Sequence, residues 1–168
     1  DDYDYDTDEY VEWVEYSDDG QSRSVVDFEQ GEAKIEIIIT PEEESSEVKL
    51  EAKVQEKVKD LIVNKGKTKD YDSSKEKAVP LQETPVLENQ VQTPSGEVIT
   101  ENNVNEGVKE IVQEAVIEKK EITGDDGEKR QVVTIKLDLA PNHIKTRAEA
   151  YKNEVEKYCL KYDVDPAL

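Results

Sequence analysis

The side chains whose types and spacing could do chemistry are few in this chain. Asp4, Asp6 and Asp8, with Glu15 eleven residues after Asp4, match the carboxylate pattern of a calcium loop, where hard oxygens surround the ion. Glu9 stands where such a loop needs its glycine, and no helix pair flanks it, so these acids read as a solvated linker. His143 is the sole histidine, which excludes a multi-histidine metal centre. It follows Pro141 and Asn142, so this trio reads as a turn opening a helix and fixing a domain junction; no nucleophile is placed to make the ring a base. Cys159 is also single, which excludes an intramolecular disulfide and a multi-cysteine zinc site, and its place on an apolar helix stripe makes it a buried inert thiol. Gly124-Asp125-Asp126-Gly127 lacks the lysine and the strand–helix order of a phosphate loop and reads as a hairpin turn. No catalytic residue, metal ligand or cofactor-binding residue emerges from these patterns, and no cofactor is expected.

Charge narrows the classes further. The 42 acidic and 22 basic residues leave a net charge of −20, a field that repels nucleic acid and anionic lipid. The first twenty residues hold ten acids and no base, and residues 1–10 alternate acid with tyrosine without an apolar period, as a flexible tail does. No run of about 18 apolar residues exists to span a membrane. There is neither a signal peptide nor a methionine, so the chain reads as a processed or trimmed piece.

The elements that must position these residues fit one small domain with an appendage. Trp13 anchors the start of the ordered part, and residues 22–28 and 32–40 read as a hairpin of β-branched strands. Thr40, Pro41 and Glu43 form a capping-box signature for one helix over residues 41–63, whose Leu50, Val54, Val58 and Leu61 share a face. Residues 64–100 are rich in proline and glycine, with short strands expected at 86–91 and 97–100. Asn103 is placed to cap a helix carrying Val104, Val108, Ile111, Val112 and Ala115, with a strand over 116–123 after it. Val133, Ile135, Leu137 and Leu139 alternate with polar residues in the returning strand, which Pro141 ends. The order implies an α+β fold, a curved antiparallel sheet with helices packed on one face. A last helix runs from about residue 142, and its stripe of Ile144, Ala148, Tyr151, Val155, Tyr158, Cys159 and Tyr162 has nothing obvious to cover it. Asp165 and Pro166 then open another helix.

Several of these segments together resemble the family of membrane-bound lytic murein transglycosylases of the C type. The similarity at the end of the chain, residues 133–168, takes in the alternating strand, Pro141-Asn142-His143, Arg147-Ala148, Tyr151 and Lys161-Tyr162-x-Val164-Asp165. Upstream, Arg23-Ser24-x-x-Asp27-Phe28 with Gly31 is similar to the first hairpin of the family's N-terminal domain. Pro85-x-Leu87-x-x-Gln90-Val91, with Gly96 and Ile99, is similar to its central segment.

The resemblance implies three parts: the acidic tail over 1–10, an α+β N-terminal domain over 11–140, and over 141–168 the first helix of a truncated catalytic domain. The implied parent is a periplasmic or outer-membrane-anchored lipoprotein. It cuts peptidoglycan between N-acetylmuramic acid and N-acetylglucosamine with one glutamate, first acid and then base, and without a metal. The chain stops before the family's Glu-Ser motif, so no catalytic residue carries over and the piece itself is expected to be non-catalytic. Its partners are then its own catalytic domain and peptidoglycan, with Tyr151, Val155 and Tyr158 as the interface and as the surface through which the fragment self-associates. The other reading of the same elements is a stand-alone cystatin-like or nuclear-transport-factor-like module for a peptide or small ligand.

Overall fold

The computed structural model describes residues 12–69, 78–80 and 83–165. The acidic tail and the first three acids of the calcium-like pattern lie outside those residues, whereas Glu15 lies in the first strand. The fold is α+β, as the element order implies. An open antiparallel sheet runs in the order β1-β2-β3-β7-β6, formed by β1 Glu12–Tyr16, β2 Ser22–Asp27, β3 Glu32–Ile39, β6 Glu118–Thr123 and β7 Lys129–Asp138. Four helices accompany it among the described residues: α1 Pro41–Glu44, α2 Glu47–Ile62, α3 Val104–Glu114 and α4 His143–Tyr162. A small ribbon of β4 Lys67–Lys69 and β5 Ala78–Pro80 stands apart from the sheet.

One face of the sheet makes the core. Along β3 every second residue is buried (Ala33, Ile35, Ile37 and Ile39), and β7 answers with Val133, Ile135 and Leu137 in register. Period-two alternation sends the intervening Lys34, Glu36 and Lys136 to the other face, where Lys34 pairs with Glu36 and Lys136 with Glu32. Leu50, Val54, Val58 and Leu61 of α2 and Val104, Val108, Ile111 and Val112 of α3 complete the apolar cluster. β7 is the final strand in sequence but lies inside the sheet, between β3 and β6.

The helix expected over residues 41–63 is two helices. The capping box forms as its residues require: the Glu43 N–H donates to Thr40 Oγ1 (3.2 Å), and the Thr40 N–H donates to Glu43 Oε2 (2.7 Å). Two serines then interrupt the run. Ser45 Oγ donates to the Glu42 carbonyl (3.1 Å), and Ser46 takes an extended conformation and caps α2 from the Lys49 N–H. Serine hydroxyls that compete for backbone partners explain the break, which the uninterrupted apolar period concealed.

The strands expected at 86–91 and 97–100 are not formed: 86–90 is a turn, Val91 makes a single bridge to Leu139, and Gln92 makes one to Val98. Asn89 lies within that first turn in the left-handed region at φ 56°, and the turn closed by the Gly96 N–H on the Thr93 carbonyl joins two stretches that pair only briefly. This segment nevertheless delivers Leu87, Val91 and Ile99 to the core. Ile99 lies where a Cβ on Gly107 of α3 would come within 2.9 Å of its Cδ1, so glycine is what lets α3 approach. Asn103 stands at the first helix boundary of α3 without capping it: its Oδ1 accepts from Thr100 and its Nδ2 donates to Glu97 and Val98, which ties the preceding turn.

Candidate functional site at the sheet–helix junction

The junction is built from the β2–β3 turn and the chain leaving β7. Asp27 Oδ1 accepts the backbone N–H groups of Glu29 and Gln30 (2.9 and 2.8 Å), and Gly31 closes the turn at φ +67°. The Leu139 N–H then donates to the Gly31 carbonyl (2.7 Å), so the end of β7 is held against that turn. Beyond it, Ala140 is fully buried and donates to the Gln90 carbonyl (2.7 Å).

Of the trio read as a junction, Pro141 and Asn142 are exposed at the turn, and His143 is the buried member at 7% exposure. Its Nδ1 lies 2.8 Å from the Ala140 carbonyl oxygen and its Nε2 lies 2.8 Å from that of Phe28. A neutral imidazole donates from one nitrogen only, whereas an imidazolium donates to both carbonyls. The second contact joins residues 115 positions apart in sequence. A Cβ at Gly31 would stand 2.8 Å from the ring's Cε1, so the turn has room for this histidine only as glycine. The ring is therefore a bolt through the β2–β3 turn into the first turn of α4.

One turn further on, the Arg147 guanidinium stacks 3.5 Å from the Phe28 ring centre and 5.6 Å from that of Tyr151. Arg147 lies between two hollows. One, about 340 Å³, includes Phe28, His143 and Ile144; the other, about 430 Å³, separates α4 from residues 83–90. Gln90 borders the second hollow at 3% exposure, donates from Nε2 to the Val86 carbonyl (2.8 Å), and leaves its Oε1 without a hydrogen bond. At the far end Lys157 meets Glu83 at 2.9 Å. That hydrogen bond, with the attraction of the two charges, holds the Glu83 carboxyl below the usual range and raises the Lys157 ammonium.

The rest of α4 is open. His143 is its only buried residue, and Tyr151, Val155 and Tyr158 are 51%, 51% and 46% exposed. Tyr158 stacks on Tyr162 with ring centres 6.4 Å apart, within the helix. Cys159, expected to be buried, is half-buried, because nothing among the described residues covers the stripe to which it belongs. Phe28, Gly31, Arg147 and Gln90 carry the junction but were not singled out as site residues by their chemistry. Their signal was positional, in the Asp27-Phe28, Gly31, Arg147-Ala148 and Gln90-Val91 segments of the resemblance. Among the described residues no group of three or more His, Cys, Asp or Glu side chains is arranged to hold a metal ion.

The fold and this junction define an α+β domain whose last helix is bolted at its first turn and uncovered beyond it. The sequence matches the N-terminal domain of membrane-bound lytic murein transglycosylase C over residues 2–150, and the chain belongs to that family. No curated protein matches the sequence. The family's membrane-bound character assigns the chain to the cell envelope, although no described helix is long and apolar enough to cross a membrane.

Proposed function

We propose that this chain is the non-catalytic accessory domain of a peptidoglycan lytic transglycosylase, and that its task is to hold the catalytic domain at a fixed angle through α4. The observation that carries this reading is the His143 bolt, which ties the first turn of a helix with an uncovered apolar stripe to the β2–β3 turn. A bare stripe of large side chains is unfavourable at about 25 cal/mol per Å² of apolar area, so Tyr151, Val155 and Tyr158 are suited to face the domain that follows. A self-contained binding module would fold its last helix back over its own sheet, and α4 does not bury its stripe in that way. The tail, the domain over 11–140 and the helix over 141–168 then correspond to linker, accessory domain and the start of the catalytic domain. The location that goes with this reading is periplasmic, with the parent anchored to the outer membrane as a lipoprotein.

A peptidoglycan zymogram tests the first half: this chain should leave no cleared band, and clearing by a pure preparation overturns the non-catalytic reading. For the second half, His143→Ala in the full-length enzyme should slow cleavage of intact peptidoglycan more than the same change alters folding of the isolated chain. Equal rates for the two full-length proteins would remove the positioning role. Sedimentation of the chain with Tyr151→Lys and Val155→Lys addresses self-association. A dimer that survives both changes places that contact away from α4.

A further inference from the structure

We propose that the hollow between the β1–β2 ribbon and the last turns of α2 binds a primary ammonium group on an aliphatic stem, with Glu15 as its counter-ion. The site shares no residue with the junction and does not depend on the function proposed above. Glu15 and Ser24 are cross-strand partners in the β1–β2 register. Two residues along the same strands, Trp13 packs on the core and Val26 is fully buried, so period-two alternation turns Glu15 and Ser24 to the core side as well. There the core is not filled. A hollow of about 580 Å³ separates the pair from Lys57, Asp60 and Leu61 of α2.

The polar groups facing this space are incompletely matched. Glu15 is half-buried and forms no ion pair or side-chain hydrogen bond with a described residue. Ser24 is 8% exposed, and its hydroxyl is likewise without a partner among the described residues. Lys57, the buried cation that lines the hollow, is already committed to Asp19 at 3.2 Å. Lys65 stands exposed at the rim. A second carboxylate, Asp60, lies in the last turn of α2, where the helix carbonyls add partial negative charge.

An anion entering this space would meet Glu15, Asp60 and the negative end of α2, and a neutral apolar group would leave Glu15 unpaired. A cation completes it. The three donors of an ammonium suit a carboxylate and a hydroxyl together, and Leu61 and Val63 offer apolar surface to a methylene stem. The net charge of −20 raises the local concentration of any such ligand. The same chemistry could arrive as a lysine-like side chain on a peptide or as a free diamine.

Amide NMR titration of the whole chain with Nα-acetyl-lysine methylamide and with cadaverine tests the site, with neutral Nα-acetyl-norleucine methylamide as control. Either amine should give saturating shifts centred on Glu15, Ser24 and residues 60–64, and the tighter of the two identifies the source. Glu15→Gln should weaken binding about tenfold, the loss of one charge-assisted hydrogen bond. Ser24→Ala should weaken it less, and Glu121→Gln on the distant edge strand should leave it unchanged. Should Glu15→Gln fail to fold by circular dichroism, Asp60→Asn and Ser24→Ala carry the same test. Shifts that never saturate, that spread over the acidic surface, or that survive these changes in folded protein overturn the proposal.

Discussion

α2 and α4 invite comparison, because both are long helices with an apolar stripe at helical spacing, and the molecule treats them in opposite ways. α2 lays Leu50, Val54, Val58 and Leu61 into the core, and none of the four is more than 7% exposed. α4 keeps Tyr151, Val155 and Tyr158 about half exposed and buries His143 alone. Their polar faces differ in the same sense. On α2, Lys53 reaches Gln21 and Glu43 (2.9 and 3.0 Å), and Lys57 reaches Asp19 (3.2 Å), so lysines one turn apart tie the helix to the β1–β2 turn and to α1. On α4, Lys145–Glu149 and Lys152–Glu156 pair along the helix itself, and the one pair that leaves it among the described residues, Lys157 with Glu83, reaches an exposed loop rather than the sheet or another helix. Charges that reach across to other elements mark a helix built into its own domain. Charges that pair within one helix mark a helix that supports itself in water.

The largest expected effect separates the two helices directly. Leu61→Ala, at a residue 3% exposed, should cost about 2–5 kcal/mol in urea unfolding, the range for a truncated core leucine. Val155→Ala on α4 should change the unfolding free energy by less than about 0.5 kcal/mol, as surface substitutions do. If Val155→Ala approached the cost of Leu61→Ala in the isolated chain, α4 would be covered in solution and the contrast would fail.

How far the sequence spoke for itself follows the same line. The period-two run in β3 and the capping box at Thr40 were readable because each rests on neighbours within a few residues. The stripe on α4 was equally readable, but what covers a stripe is a tertiary fact, and Cys159 was misplaced in the core for that reason. The division between α1 and α2 escaped because two serine hydroxyls outweighed an apolar rhythm that ran past them. The burial of Leu87, Val91 and Ile99 in a proline- and glycine-rich segment has no local periodicity and came only from packing. At the junction, Pro141, Asn142 and His143 stood out as punctuation in the chain. Their partner Phe28 lies 115 residues from His143, beyond any local pattern.

The junction itself supplies the middle-sized effects. His143→Ala removes the ring from the Phe28 and Ala140 carbonyls and should destabilise the chain by about 1–3 kcal/mol, the cost of unsatisfied buried groups. Hydrogen exchange at the β2–β3 turn and the first turn of α4 should accelerate together, while α2 stays protected. Gly31→Ala should cost about 1–2 kcal/mol through its positive φ, and more through the clash with the ring. In the double variant the clash disappears, so the two losses should add to less than their sum by about 0.5 kcal/mol or more. Strict additivity would separate the turn from the ring and dissolve the bolt.

The smallest effect concerns the ties that anchor α2, and it is read in pH. The Asp19 carboxyl is held well below its usual range, first by the Ser17 hydroxyl, then by the Gln21 N–H and Lys57. A carboxylate with a depressed folded value binds its proton more readily when unfolded. Its contribution is therefore complete above the ordinary value of 3.8 and is lost as pH falls through the folded value. Asp19→Asn should lower the urea midpoint at pH 6, because it leaves the buried Lys57 without this partner. As pH is lowered below 3.8, the wild-type midpoint should drift toward that of the variant, since protonating Asp19 does what the substitution did. α4 supplies the control. Glu149→Gln removes an exposed pair within one helix and should leave the pH profile of the midpoint almost unchanged, because that charge ties α4 to no other element. A gap between wild type and Asp19→Asn that stays constant from pH 6 downward would show that the Lys57–Asp19 tie does not anchor α2 through charge.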